Sequence, residues 1–408
     1  MMTTPSFLSS QRQTCVNFIL NFCLPIGWLA LLTGMFWVGE RKLYHSVYYL
    51  TLVVPTVLVL LLQPQRWQPL KSLTLLHLFA LFAAYMLLSL LWSPTDASWL
   101  SMVKRPLYIA LLFVAVALLD QYRPARLLLA REFAAWVAVL AAVLSVAYYV
   151  YLDEGGRLSG YGALYNPLLS AHVFGFFTVY WLTRWYQQPN WSSLVALIPL
   201  GVLLLLSGSR TPLLAVAAAL LWLAALHWRQ RFWLIVTASV AAVLLWQLLA
   251  PTADLLGRGL SYRPAIWAEA LRQLNGHLWL GLGLDAPQVF NVAGLEEALA
   301  DTHNITLSVL FEGGLLGVGL WLTMYAYALI AAWRWRQQRE VLLASTLVVF
   351  GLVSGLTEGR GFFARPAEHW FLLWIPLALL AAALARQHKT QQAAQGLCIP
   401  VPPWQLHQ

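Results

Sequence analysis

Apolar runs of bilayer length recur along the whole chain, and no other feature limits its fold so strongly. They lie at about 16–38, 44–63, 72–93, 100–120, 127–151, 165–187, 192–207, 212–228, 231–250, 305–332, 341–357 and 370–386. A helix needs ~20 apolar residues to cross a hydrocarbon core. Only 10% of the 408 residues are charged, against ~25% in a soluble domain, and the deficit runs from end to end. The sequence therefore predicts an all-α polytopic membrane protein with about twelve transmembrane helices. Residues 1–250 would carry the helices before a large polar loop at 251–304. Residues 305–386 would carry those after it, and 387–408 would form a polar, disordered tail.

The net charge of +9 does not point to nucleic acid. The basic residues lie mostly in short loops, where topology and anionic membrane lipid account for them. Trp is heavily used, at 21 residues, many at the ends of apolar runs, as in an aromatic belt at the water interface. Cys15, Cys23 and Cys398 have neither metal-ligand spacing nor the pattern of a disulfide framework. No cleavable signal peptide is expected, because the N-terminus is polar and no small-residue cleavage site follows the first run.

Excess positive charge marks the cytoplasmic side. With the N-terminus inside, that side receives more than half of the 25 Lys and Arg, in tight loops such as His227-Trp228-Arg229-Gln230-Arg231. The arginines left outside are informative, because topology does not want them there. Arg157, Arg210 and Arg360 each sit in a compact polar break: Arg157-Leu158-Ser159-Gly160, Ser207-Gly208-Ser209-Arg210-Thr211 and Thr357-Glu358-Gly359-Arg360-Gly361. All three fall on the same face as the 251–304 loop. Cations gathered there suggest an anionic ligand, phosphate most naturally.

Within the loop, Ser261-Tyr262-Arg263-Pro264 reads as a helix start with Pro in the first turn. Ile266, Trp267, Ala270, Leu271 and Leu274 form an apolar stripe, and Asn275-Gly276 ends it. Leu280-Gly281-Leu282-Gly283 is a tight turn, and Leu295 to Ala300 is expected to form a second short helix.

His303 closes the loop beside Asp301 and Asn304. It is either a general base for a hydroxyl or a cap or interface histidine. Arg210 and Arg263 either grip a pyrophosphate with their forked guanidinium groups or serve as the snorkelling end of a span and an exposed helix start. The small polar residues around Arg210 weaken its structural reading. Glu312, inside a span, is expected to pair with an outer arginine rather than merely cap an irregular helix at Gly313-Gly314. Glu358 with Arg360 reads as a surface pair. No Asp-x-Asp occurs, Asp301-x-His303 lacks an evident third ligand, and there is no P-loop. No metal and no cofactor are therefore expected.

Several short motifs, in order, resemble the signature of the O-antigen ligase and polymerase superfamily. They are Arg157-Leu158-Ser159-Gly160 with Asn166-Pro167, Ser207-Gly208-Ser209-Arg210-Thr211, Arg263 with Trp267 and Leu271, Leu280-Gly281-Leu282-Gly283, His303-Asn304, and Gly313-Gly314 with Gly317. The resemblance implies a metal-independent, inverting glycosyltransferase of the GT-C class. It would act at the periplasmic face of a Gram-negative inner membrane, with the 251–304 loop periplasmic. The implied donor is a glycan on undecaprenyl pyrophosphate, and the implied acceptor of a ligase is lipid A–core. The family's two arginines and one histidine match Arg210, Arg263 and His303, with His303 catalytic. Arg157, Tyr262, Asp301, Asn304, Glu312 and Arg360 are candidate supporting residues. The short tail argues against a protein O-oligosaccharyltransferase, and the single late loop favours a ligase over a polymerase. A lipid-linked glycan transporter is the alternative from a different class, but here the polar residues gather at the outer end instead of through the membrane middle. A monomer is expected.

Overall fold

The computed structural model describes residues 7–152, 156–226, 262–292, 297–359 and 361–397. The run expected at 231–250, the loop from 251 to 261 and Arg360 lie outside them. In chain order the helices are α1 (Ser10–Trp37), α2 (Arg41–Leu62), α3 (Thr74–Leu91), α4 (Trp99–Tyr122), α5 (Pro124–Leu152), α6 (Pro167–Gln187), α7 (Trp191–Leu206), α8 (Arg210–Leu226), α9 (Arg263–Gln273), α10 (Ile305–Arg334), α11 (Arg339–Gly355) and α12 (Glu368–Gln391). The described chain is all-helical. Seven helices, α1 to α5, α10 and α12, are long and apolar enough to cross a membrane. This is a multi-pass membrane protein.

The hub is α12, of whose most apolar stretch 94% is buried. It packs against α3, α4, α10 and α11. Gly351 of α11 lies directly on the Leu372 carbonyl, where any side chain would collide with backbone. Around this axis Phe79, Phe82, Trp321 and Trp374 stack edge to face or tilted, an arrangement that suits the ring quadrupoles. Trp28, Trp181, Trp321, Trp370 and Trp374 are all fully buried, so an aromatic belt accounts for only part of the Trp content. Exposed Trp37, Trp67, Trp92, Trp99 and Trp191 fit the belt at run ends.

Prolines shape α1 and α2 locally. Each helix passes through a π turn, Ile19–Cys23 and Tyr49–Val53, just before Pro25 and Pro55. A proline has no N–H for the carbonyl four residues back. The Asn21 carbonyl is taken instead by the Arg126 guanidinium. Gly27 seats α1 against the Thr51 carbonyl of α2.

The second short helix expected in the loop does not form over the described residues 297–300. Leu299 instead makes an antiparallel bridge with Phe290. The polar tail expected from Gln387 starts later, because helix continues to Leu397.

Contacts between distant segments sort to two ends of the bundle. At one end Arg41 Nη2 meets Glu368 Oε1 at 2.6 Å, Arg105 Nη1 meets Asp285 Oδ1 at 3.4 Å, and Arg157 Nη2 donates to Ser209 Oγ at 2.7 Å. At the other, Arg131 Nη1 meets Glu340 Oε2 at 2.6 Å, Arg184 Nη2 meets Glu132 Oε1 at 3.3 Å, and Arg386 pairs with Asp120.

Candidate functional site

The site is built at the first of these ends, where the loop before α10 meets α8, α9 and the segment between α11 and α12. Pro264 opens α9. Ile266 and Ala270 of α9, with Leu274 at its C-cap, pack with Phe290, Leu307 and Phe311 in a separate small core, so the amphipathic helix forms as its spacing predicts. Leu271, expected in that stripe, is 52% exposed, because it lies off the i, i+4, i+8 line.

The turn-rich segment after α9 is locked to α10 through a break in that helix. Gly314 takes φ 61°, ψ −164° inside α10, a conformation open essentially to Gly alone. Through the gap, Leu282 and Gly283 donate to the Phe311 and Glu312 carbonyls at 2.9 and 2.8 Å, and Leu315 donates to the Leu278 carbonyl at 2.9 Å. Tyr85 Oη adds a bond to the Gly313 carbonyl at 2.7 Å. Glu312 Oε2 accepts from the Asp285 N–H at 3.0 Å and Oε1 from Gln288 Nε2 at 3.3 Å. Glu312 thereby helps to hold the loop in place. It sits about two turns into α10.

At the loop's end each polar residue has a distinct task. Asn304 Oδ1 accepts from the Leu307 N–H at 3.0 Å and caps α10. Asp301 Oδ1 accepts from the His303 N–H at 2.7 Å. Thr302 Oγ1 lies 2.6 Å from Ser308 Oγ, and its carbonyl accepts from Trp267 Nε1 at 3.0 Å. His303 is thus relieved of capping. Its backbone is left-handed, φ 47°, and its ring turns to Glu358.

Glu358 is the residue that local sequence misread. It is 6% exposed, not part of a surface pair. Its Oε2 lies 3.3 Å from Arg263 Nη2, and its Oε1 lies 3.7 Å from His303 Nδ1. Burial works to raise the Glu358 carboxyl. The contact with His303 outweighs burial and holds it below the usual carboxylate value. The Glu358 carboxylate in turn raises His303 above its ordinary value, with help from Asp301 and against burial and Arg263.

Arg210 is the exposed first residue of α8. The turn before it passes through Gly208 at φ 58°. Arg157 braces that turn, its Nε donating to the Ser207 carbonyl at 2.8 Å. Thr357 Oγ1 donates to Thr211 Oγ1 at 2.9 Å, which ties Arg210's turn to the Glu358 segment. The structure therefore joins Arg263 and His303 directly through Glu358, with Arg210 one link away and Arg157 one link beyond it. Tyr262 is half-exposed and supplies the carbonyl that receives the Ile266 N–H. An apolar cavity of 1020 Å³ lies between α1, α5 and α6, walled by residues such as Phe36, Leu140, Leu144 and Phe174, with Arg157 and Ser159 at its polar edge.

Residues 194–322 match the family described as O-antigen ligase. Over 383 residues the chain is 48% identical to an O-antigen ligase of Pseudomonas aeruginosa, covering 93% of this chain and 95% of that relative.

Proposed function

The chain belongs to the O-antigen ligase family, and from that membership we propose that it moves O-antigen from undecaprenyl pyrophosphate to a sugar hydroxyl of lipid A–core. The observation that carries this reading is the convergence of Arg263 and His303 on one buried carboxylate, with Arg210 one link away. A sugar hydroxyl is too weak an acid to attack unaided, so a base must take its proton during attack. His303 is that base, and the neutral imidazole suits pH near 7. The acceptor oxygen attacks the anomeric carbon opposite the leaving group and inverts its configuration. Charge grows on the departing pyrophosphate, and Arg210 and Arg263 neutralise it. The apolar cavity beside Arg157 suits the polyprenyl chain.

The site would face the periplasm of a Gram-negative inner membrane, within a twelve-span topology whose N-terminus is cytoplasmic. Supporting this, the chain leaves α8 at Leu226 beside Leu342, at the end opposite Tyr262. A span within 227–261 would connect the two.

Purified protein with lipid-linked glycan and lipid A–core in detergent tests the reading. Product without any membrane gradient supports an enzyme. His303→Ala, Arg210→Ala and Arg263→Ala are each expected to abolish ligation, since loss of one preorganised donor costs ~10²–10³ in rate. EDTA should leave the rate unchanged, while inhibition reversed by Mg²⁺ or Mn²⁺ would make Asp301 and His303 metal ligands. In a deletion strain, polymeric glycan retained on the carrier with bare core is expected. Core capped by single repeats would mean a polymerase.

A further inference from the structure

Glu358 is buried, charged and absent from the chemistry above. Such a group is costly to hold in a membrane protein unless it is paired. It meets Arg263 from α9 and His303 from the loop before α10. Two separate elements thus bring a guanidinium and an imidazole to one carboxylate.

The His303 ring supplies the second observation. Its Nδ1 is shielded from solvent and has no hydrogen-bond partner, and the carboxylate oxygen nearest it is Glu358 Oε1 at 3.7 Å. That is longer than a hydrogen bond, and such contacts in unliganded sites tighten when substrate binds. Asp301, the other acid near His303, is engaged with the backbone N–H and leaves the ring to Glu358.

We propose that Glu358 is a positioning residue for the transfer. Its carboxylate receives the His303 Nδ1–H, fixes that tautomer, and presents Nε2 to the acceptor hydroxyl. This rests on the reading of His303 as the base. In the step, the acceptor O–H proton passes to Nε2 and the oxygen forms the new bond to the anomeric carbon. The bond from that carbon to the pyrophosphate oxygen breaks, and its electron pair leaves with the pyrophosphate. Glu358 stays ionised throughout and stabilises the imidazolium, as the buried acid does in other acid–histidine pairs. The proton returns to water before the next turnover.

The groups that face His303 are Glu358, Asp301 and Arg263. Glu358→Gln keeps shape and removes only the charge, leaving the other two in place. In the full-length protein the ligation rate should fall on the order of 10–100-fold, as for outer partners of a working histidine. The acid limb of the pH–rate profile should move to lower pH, and Glu358→Asp should restore part of both. In a His303→Ala background, Glu358→Gln should cost nothing further. If Glu358→Gln fails to fold, the pH dependence of His303 carbethoxylation in Glu358→Asp reads the same coupling. An unmoved acid limb with the loss confined to donor KM would overturn the inference, because Glu358 would then act through Arg263 alone. Full activity in His303→Ala would overturn the base reading, and this inference with it. An inactive His303→Ala together with an unmoved limb overturns this inference only.

Discussion

His303 combines two demands that substitution can separate. Its φ of 47° falls in the left-handed region, where Asn is well tolerated and Ala is not. His303→Asn should therefore keep the loop and lose the base, with a rate loss of about 10²–10⁴ and a smaller fall in melting temperature than His303→Ala. His303→Ala should lose the same activity and also ~1 kcal/mol of stability. The pH dependence follows from the direction of the shift. The base must be neutral, and Glu358 raises the imidazole above its usual ~6.5. Activity should then fall as pH drops through a value above 6.5, while a histidine free of Glu358 would hold activity to lower pH. An acid limb below 6.5 in the wild-type rate profile would count against the base. The sequence singles out Arg263 and His303 as polar residues of the 251–304 loop, with a structural reading beside the functional one, and the resemblance favours the functional one. Glu358 is not singled out. It is two residues from Arg360, which suggests a local pair, while its partners lie 95 and 55 positions away in the chain. Nothing in a local pattern encodes a contact of that separation.

At the level of elements, the joint between the 278–283 segment and α10 decides whether the loop has a fixed place. Leu280-Gly281-Leu282-Gly283 reads as a tight turn, and an irregular helix at Gly313-Gly314 is the less favoured reading beside an arginine pair for Glu312; the structure places a helix break at Gly314. What periodicity could not supply is that the two are one structure, since backbone hydrogen bonds between distant segments leave no spacing signal. The sequence cue is glycine itself, where backbone meets backbone. A Cβ at Gly314 would fall on the Trp279 carbonyl, and its φ and ψ are closed to other residues. Gly314→Ala should cost ~3 kcal/mol or more, visible as a large drop in melting temperature in detergent. Gly319→Ala is the control. It lies in the same helix with open space around its Cβ position, so it should be neutral or slightly stabilising. Equal loss in both variants would mean that the joint is not what holds the loop.

Across the whole molecule, two of the helices bordering the site, α7 and α11, are short. They have 16 and 17 residues, or about 24–26 Å at 1.5 Å per residue, against a hydrocarbon core of ~30 Å. Hydropathy located these runs, and the sidedness of the bundle rests on the Lys and Arg distribution. The contact pattern separates the two ends of the bundle. Arg41, Arg105, Arg157 and Arg263 meet partners at one end, while Arg131, Arg184 and Arg386 do so at the other. Glu297 belongs to the loop of the first end, and Gln338 to the α10–α11 connection at the second, and both are exposed. In a chain with Cys15, Cys23 and Cys398 replaced by Ser, Glu297→Cys should react with a membrane-impermeant maleimide added outside the inner membrane. Gln338→Cys should react only after the membrane is opened. The reverse pattern would place His303 and its arginines in the cytoplasm, away from a donor presented at the periplasmic leaflet, and the proposed reaction would lose its site.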